Sequence, residues 1–458
     1  MRILIDGTDV KTIFLRFVTG LLILSLLLFS LVSCGENPRG QGDETGEPKD
    51  YVSLLTLDTT TDTLKAEASV KTYIDGDTTH FHIMGPGGPE VLKARYLAIN
   101  TPESTGKIEE YGKAASRFTR EKLESATSII LESESGEWNR DSTGGRFLVW
   151  VWYRTGENEP YRNLNLEILQ NGLAIASSTA NNRYGETCVA ALNQAKSQKI
   201  GLYSGEKDPD FYYGDAVELT AKELRLNLER YNGVKVAFEG VVTRGNDGSV
   251  YVEEYDPDSG LYFGMVVYCG YNLSGAGLSI LSIGNRVRMV GTLQYWETGG
   301  TYQISGISYR AMKPDDPSNI QKLGEGFDPA YAPIGADVLN GQKISLEVEE
   351  NGEPVLRDYD TAALLMDTTV SLRNLTVKSA YATADESSDS YGAMTLVCES
   401  EEGLSVQIRT SPLHDETGAL VTPGAFLERN IDVQGLIGRY GSSYQIQIFS
   451  VNDIIIND

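Results

Sequence analysis

Two stretches in the C-terminal half carry the same succession of features. NRVRMVGTLQYWETGGTYQISGISY (285–309) and ERNIDVQGLIGRYGSSYQIQIFSV (428–451) each read as a strand with a glycine (Gly291, Gly435), a Gly-containing turn, and a return strand bearing Tyr-Gln-Ile (Tyr302, Tyr444). A short helical stretch and a strand precede each of them: ELRLNLERYNGVKVAFEGVV and TAALLMDTTVSLRNLTV. A unit of about 100 residues with about five short strands, used twice, suits a small Greek-key barrel of the OB type. The other reading is two unrelated β-sandwich modules sharing a common hairpin. The barrels are expected over 217–312 and 338–458, with a Pro/Asp-rich connection (312–335) between them.

The pattern before them is different. ASVKTYIDGDTTHFHIM alternates like a strand pair, with Asp75-Gly76 as the turn signal. PGGPE (86–90) is a second turn and VLKARYLAI a further strand. YGKAASRFTREKLESA (111–126) has helical spacing, followed by strands SIILESE and GRFLVWVWY around an Asp-Ser-Thr-Gly-Gly loop. LNLEILQNGLA and TCVAALNQAKSQKIG are two more helices, each closed by a glycine (Gly172, Gly201). Residues 64–205 are therefore expected to form an α+β domain, a small barrel with three helices, and the whole chain to be mainly β. GEKDPDFYYGD (205–215) reads as the linker to the second unit.

At the N-terminus, Arg2, Lys11 and Arg16 precede the apolar run FVTGLLILSLLLFSLV, which ends in Leu31-Val32-Ser33-Cys34. The run is short for a spanning helix and long enough for a signal segment. Leu-x-Ser-Cys resembles a bacterial lipoprotein signal (1–34), which implies lipidation at Cys34, cleavage just before that cysteine so that it becomes the first mature residue, and anchoring outside the cytoplasmic membrane. An uncleaved anchor helix is the rival reading. Residues 35–63, opening with GENPRGQGDETGEPKD, are expected to be a flexible tether.

Charge is distributed unevenly. Segment 206–458 holds 18 Lys/Arg against 38 Asp/Glu, nearly all of the chain's formal −25. That half is a poor candidate for tracking phosphates electrostatically; its working role is not legible, and spacer or protein contact is the reading favoured over single-strand binding through Tyr295, Trp296, Tyr302, Tyr440 and Tyr444. Of the four Cys, Cys188, Cys269 and Cys398 are far apart, and no Cys/His spacing suits zinc. Both one disulfide among them and three buried thiols remain open.

The polar set in DGDTTHFHI and ARYLAINTPE exceeds what scaffold strands need. Hydrolysis of a phosphodiester calls for cations on the non-bridging oxygens, an activated water and often a metal. Arginine gives bidentate phosphate recognition, and clustered carboxylate, amide and carbonyl oxygens suit calcium. Asp77, Arg95, Asn100, Thr101 and Glu103 supply such a set, and DSTGGR adds Arg146.

In order and spacing, IDGDT (74–78), RYLAINTPE (95–103), EYGKAASRFT (110–119), DSTGGR (141–146), NGLA (171–174) and KIGLY (199–203) resemble the thermonuclease family, the staphylococcal-nuclease-like domains. The resemblance implies an OB-type five-stranded barrel with three helices, and a calcium-dependent nuclease that leaves 3′-phosphates on DNA or RNA. It implies Arg95 and Arg146 as phosphate clamps, Glu103 as general base, and Asp77, Asn100 and the Thr101 carbonyl as calcium ligands. Asn100 stands where the family has a metal-binding Asp, which implies weaker calcium binding. The loop before Arg146 is one residue longer. IASSTANN (175–182) replaces the stretch in which the family presents two tyrosines to the nucleotide, and Tyr184 is the substitute. The alternative reading is a catalytically weak nucleic-acid-binding or protein-interaction surface lipoprotein.

Overall fold

The computed structural model describes residues 48–457 apart from 86–87, 247, 271–272, 274, 298, 351–352, 387 and 389. The signal segment, Cys34 and the tether up to residue 47 lie outside the described residues.

The alternating segments after residue 64 become β1 (Lys65–Tyr73), β2 (Thr78–Gly85) and β3 (Gly88–Tyr96), followed by β4 (Ser128–Glu132) and β5 (Phe147–Arg154). They close in the order β1-β2-β3-β5-β4, back onto β1, with β3 and β5 parallel and the other pairs antiparallel. In β2 the alternation is plain: Phe81 and Ile83 point inward, His82 and Met84 outward. In β5 it is lost, since Val149 to Tyr153 are all buried. One face of that strand lines the barrel and helix α2 (Leu164–Gln170) covers the other. The buried indoles of Trp150 and Trp152 donate to Glu134 (2.6 Å) and Glu132 (2.8 Å), so neither N–H is left unsatisfied. Helix α1 (Gly112–Glu124) precedes β4, and α3 (Gly185–Ser197) follows α2.

The second barrel comprises β6 (Lys235–Asn246), β7 (Ser249–Asp256), β8 (Leu261–Tyr268), β9 (Arg286–Trp296) and β10 (Thr301–Ser305). The third comprises β11 (Thr369–Ala382), β12 (Met394–Glu399), β13 (Ser405–Thr410), β14 (Asn430–Tyr440) and β15 (Ser443–Ile448). Both repeat the first barrel's strand order, including one parallel seam between third and fifth strands, at Val267↔Ile304 and Ile408↔Ile446. The chain is mainly β, with an OB-type first barrel and two further five-stranded barrels of the same order. A Cβ at Gly291 would lie 2.6 Å from Ile304 Cγ2 and 2.7 Å from the Ser305 carbonyl oxygen; at Gly435 it would lie 2.6 Å from Ile446 Cγ2 and 2.5 Å from the Gln447 carbonyl oxygen. Both hairpins thus need glycine at the same place, where the return strand crosses closely.

Residues 50–63 depart from the tether reading. Val52 is buried, the Tyr51 N–H donates to Gln170 (2.7 Å), and the Thr63 hydroxyl donates to Glu132 (2.7 Å). The apolar run YVSLLTL finds partners on the first barrel, so free chain cannot extend to residue 63. Residues 343–360 form a separate hairpin, Lys343–Glu350 with Glu353–Asp360, whose Leu346 joins the second barrel's core. Cys188, Cys269 and Cys398 sit in three different cores as free thiols, so no disulfide joins them; burial raises their pKa values to about 12, about 11 and about 12.

A buried ion pair fastens the second barrel to the third. Helix α4 (Ala221–Leu226) carries Arg225, which donates to the carbonyls of Gly264 and Met366 and to Asp367 Oδ2 (2.8 Å). The Val266 N–H completes that carboxylate at 3.3 Å. Removing one member leaves a lone buried charge, which costs about 3–5 kcal/mol, whereas an apolar pair of similar volume is near neutral. Asp367→Ala should therefore lower the urea midpoint of the full chain by an amount on that scale, and Arg225→Met with Asp367→Asn, which keeps an acceptor for the Val266 N–H and suits the left-handed φ of 65°, should restore part of it. Equal midpoints for Asp367→Ala and wild type would show that the pair does not hold the barrels.

Candidate active site

The site begins at the turn between β1 and β2. Ile74 and Asp75 N–H groups both donate to the Thr78 carbonyl at 3.2 Å, and this turn carries Asp77 wholly inside the protein. A Cβ on Gly76 would fall 2.8 Å from Ala115 Cβ and 2.9 Å from Thr101 Oγ1. The Gly76 carbonyl accepts the Thr119 hydroxyl (2.6 Å), so α1 grips the turn from behind. Glycine is required here because the side chains of Ala115 and Thr101 close directly on the turn's backbone.

The Asp77 carboxylate collects donors from three segments. The Arg95 guanidinium, on β3, and the Thr78 hydroxyl (3.1 Å) reach Oδ1; the Thr101 N–H reaches Oδ2 at 2.7 Å. Asp75, also buried, accepts the Asp77 N–H at 3.1 Å. Burial, and then the charge of Asp75, push the Asp77 pKa up, against Arg95 and the Thr101 N–H. The other arm of Arg95 donates to Asn100 Oδ1. One guanidinium therefore bridges the two side-chain oxygens expected to bind metal.

Several contacts hold residues 97–101 against the barrel. The buried Asn165 side chain accepts from the Val151 N–H (2.9 Å) and donates to the carbonyls of Leu97 and Val149, both at 3.0 Å. Ala98 takes a left-handed φ of 70°, and its carbonyl accepts the Ser177 N–H (3.0 Å) and the Thr179 hydroxyl (2.6 Å). Ile99 and Asn100 pair with Ala176 and Ile175 in a two-residue ladder. The IASSTANN run thus braces Asn100 from below.

Glu103 is exposed where the chain leaves this ladder. Its N–H donates to Glu109 Oε2 (3.2 Å), and its carbonyl accepts the Glu109 N–H (2.9 Å). A Cβ at Gly112 would lie 2.1 Å from that same carbonyl oxygen. Crowding by the surrounding protein, then Asp75 and Glu109, push the Glu103 pKa up, while Arg95 and Arg146 oppose them. Arg146, at the mouth of β5, is fixed by its own loop: Nε donates to Asp141 Oδ2 (2.7 Å) and its carbonyl accepts the Asp141 N–H (2.9 Å). About a third of its side chain stays in solvent (34%). The extra glycine of this loop is accommodated at Gly144, with φ of 74°.

Asp77, Arg95, Asn100 and Thr101 meet directly, and Glu103 lies within the field of both arginines. Tyr184 does not join them. Its hydroxyl donates to Glu132 (3.0 Å) and its ring meets the edges of Trp150 and Trp152 at 5.0 and 5.5 Å. The two buried indoles offer it a better-packed seat than the surface, so the stacking role expected of it is corrected to a bracing one. Asp75, Asp141 and Asn165 are the functional partners that sequence reasoning passed over. The first two stand inside the quoted DGD and DSTGGR motifs; Asn165 lies in a helical run with no local signal.

Among the described residues no cluster of three or more His, Cys, Asp or Glu offers a metal site. The donor set is instead mixed: the Asp77 carboxylate, the Asn100 amide oxygen and the Thr101 carbonyl, with Asp75 beside them. These are hard oxygen donors, and the first two already face one cation, the Arg95 guanidinium. They fit calcium, provided Arg95 yields at least one of its two hydrogen bonds.

Residues 93–205 match the family model described as staphylococcal nuclease homologue. The match covers Arg95, Asn100, Thr101, Glu103 and Arg146. The Asp75–Asp77 turn lies ahead of it, on strands that close the same barrel. The chain thus contains a staphylococcal-nuclease-like domain followed by further barrels.

The tightness at Gly76 gives a direct test. An added methyl must push Thr101 or α1 aside, and overpacking of this kind costs about 1–3 kcal/mol. Gly76→Ala should lower the urea midpoint of the full chain accordingly, and an unchanged midpoint would show that the turn has room.

Proposed function

We propose that this protein is a calcium-dependent nuclease that hydrolyses phosphodiester bonds of DNA or RNA and leaves 3′-phosphates. The observation that carries the reading is the Arg95 guanidinium held on the buried Asp77 carboxylate and on the Asn100 amide, with the exposed Glu103 in the field of both Arg95 and Arg146. The match of residues 93–205 to the staphylococcal nuclease model supports it.

Arg146 is anchored through one edge, to Asp141, while Arg95 is held by Asp77 on one arm and by Asn100 on the other. In this reading their remaining N–H groups bind the non-bridging oxygens and the charge that builds on them. Glu103 takes the proton from the attacking water; crowding by the surrounding protein raises its pKa, which makes it a stronger base than an ordinary carboxylate. Asp77, Asn100 and the Thr101 carbonyl hold calcium, which when bound supplies positive charge to the scissile phosphate. The seating of Arg95 on both Asp77 and Asn100 favours a second reading, in which metal binds weakly and the domain holds nucleic acid with little turnover.

The N-terminal apolar run ending at Cys34 supports export and lipid anchoring outside the cytoplasmic membrane, so the substrate would be extracytoplasmic nucleic acid. The matching strand orders and the paired glycines Gly291 and Gly435 support an internal repeat in the second and third barrels.

A DNA and RNA degradation assay, run with calcium and with chelator, tests the reading. Wild type should cleave only with calcium, and Glu103→Gln should lose at least about a hundredfold in kcat while still retaining DNA on a filter. Turnover retained in Glu103→Gln would remove that residue from the base role, and a wild type inert in both conditions would leave binding as the function. Asn100→Asp adds a charged ligand and should tighten calcium binding in calorimetric titration by about tenfold or more; equal affinities would remove Asn100 from the metal site.

A further inference from the structure

The loop that follows Glu103 is poorly able to hold itself. Residues 104–110, STGKIEE, are mostly polar, lack helix and strand, and include Gly106 with φ of 66°. The Glu109 N–H to Glu103 carbonyl bond (2.9 Å) closes the loop on itself, but gives its middle no seat on the first barrel. Exposed segments of this kind open with little free energy. A base must nevertheless stand within hydrogen-bond reach of its water, and a misplacement of about an ångström can cost on the order of a hundredfold in rate.

The seat comes from outside the nuclease-like domain. Gln294, on β9 of the second barrel and largely buried, donates from Nε2 to the Gly106 carbonyl at 3.0 Å. Beside it Gly306, with φ of 68°, approaches so closely that a Cβ would stand 3.2 Å from the Gly106 oxygen and 3.5 Å from Lys107 Cα. The linker secures the far end of the loop. The Tyr111 N–H donates to the buried Asp208 (2.6 Å), the Tyr111 hydroxyl lies 3.0 Å from Ser204 Oγ, and the Tyr213 hydroxyl donates to Glu110 (2.7 Å). An ion pair between Arg120 on α1 and Glu297 at the β9–β10 turn ties the hairpin to the helix that carries the loop's end.

We infer that the second barrel is a strap for the Glu103 loop, with Gln294 as a positioning residue that acts on Glu103 through Gly106. This rests on the reading of Glu103 as the base. It assigns a purpose to an acidic barrel unsuited to binding nucleic acid by itself: its contacts with the nuclease-like domain include a neutral amide, the close approach of Gly306 and Gly233, and one ion pair.

The test uses the full chain and single-stranded DNA as the probe. Gln294→Ala removes the donor, and Gln294→Met keeps the side chain's length without a donor and without burying a charge. Both should lower kcat by about tenfold with KM within about twofold, raise amide hydrogen exchange in residues 104–110, and leave the urea midpoint unchanged. Wild-type kcat in both variants would overturn the strap, as would wild-type exchange in the loop, or a loss of kcat that merely follows a lowered midpoint. Glu103→Gln, assayed alongside, separates the two readings. If it retains turnover, the role of Glu103 fails whatever Gln294 does. If it is inert while the Gln294 variants behave as wild type, only the strap fails.

Discussion

A carboxylate placed out of reach of water must be satisfied by protein donors, and Asp77 is so placed. Its donors come from β2, from β3 and from the segment beyond β3. None of these is rigid alone. The turn before Asp77 is short, Arg95 has a long side chain, and Thr101 lies on chain that has just left the sheet. By drawing all three onto two oxygens, Asp77 fixes where the barrel's open end stops and the site begins. Gly76 and the Thr119 hydroxyl carry the same constraint back to α1, so the helix, the turn and the Thr101 segment are registered to one another.

Arg95 shows why the charge arrangement matters more than the residue roll. Its guanidinium answers both Asp77 and Asn100, so the chain holds a cation of its own among the oxygens that suit calcium. Where a second carboxylate would pull a divalent ion against this guanidinium, an amide exerts only a dipole. In the proposed calcium site, Asn100 therefore brings a dipole and no second negative charge.

Much of this was legible in the chain. The alternation around Asp75-Gly76, the helical spacing of 111–126 and the order of the short motifs led to the closed barrel and to Asp77, Arg95, Asn100, Thr101, Glu103 and Arg146 as one group. The recurrent Gly and Tyr-Gln-Ile hairpins led to the later barrels, because a glycine at a close strand crossing leaves a local mark. The misreadings share a different cause. Tyr184 looked free because its partners, Trp150 and Trp152, lie on a strand far earlier in the chain. The bracing role of IASSTANN gave no sign in the chain because its ladder to Ile99 and Asn100 is a tertiary pairing of only two residues. Residues 50–63 looked like tether since their apolar side chains show no period.

The contact between Gln294 and Gly106 is the extreme of the same kind, joining residues 188 apart by one hydrogen bond. No periodicity encodes such a bond; it exists only once two barrels have closed and met. That ordering has a consequence for how activity would depend on the rest of the molecule. The first barrel closes through its own five strands and encloses its own core, so its fold is not borrowed from the second. What it lacks is a seat for the loop that follows Glu103. Docking of the second barrel, itself held to the third through Arg225 and Asp367, then adds local order where global stability is already present. Strain or displacement in the acidic half would reach the chemistry through the Glu103 loop, at a point where the backbone has few other bonds to resist it.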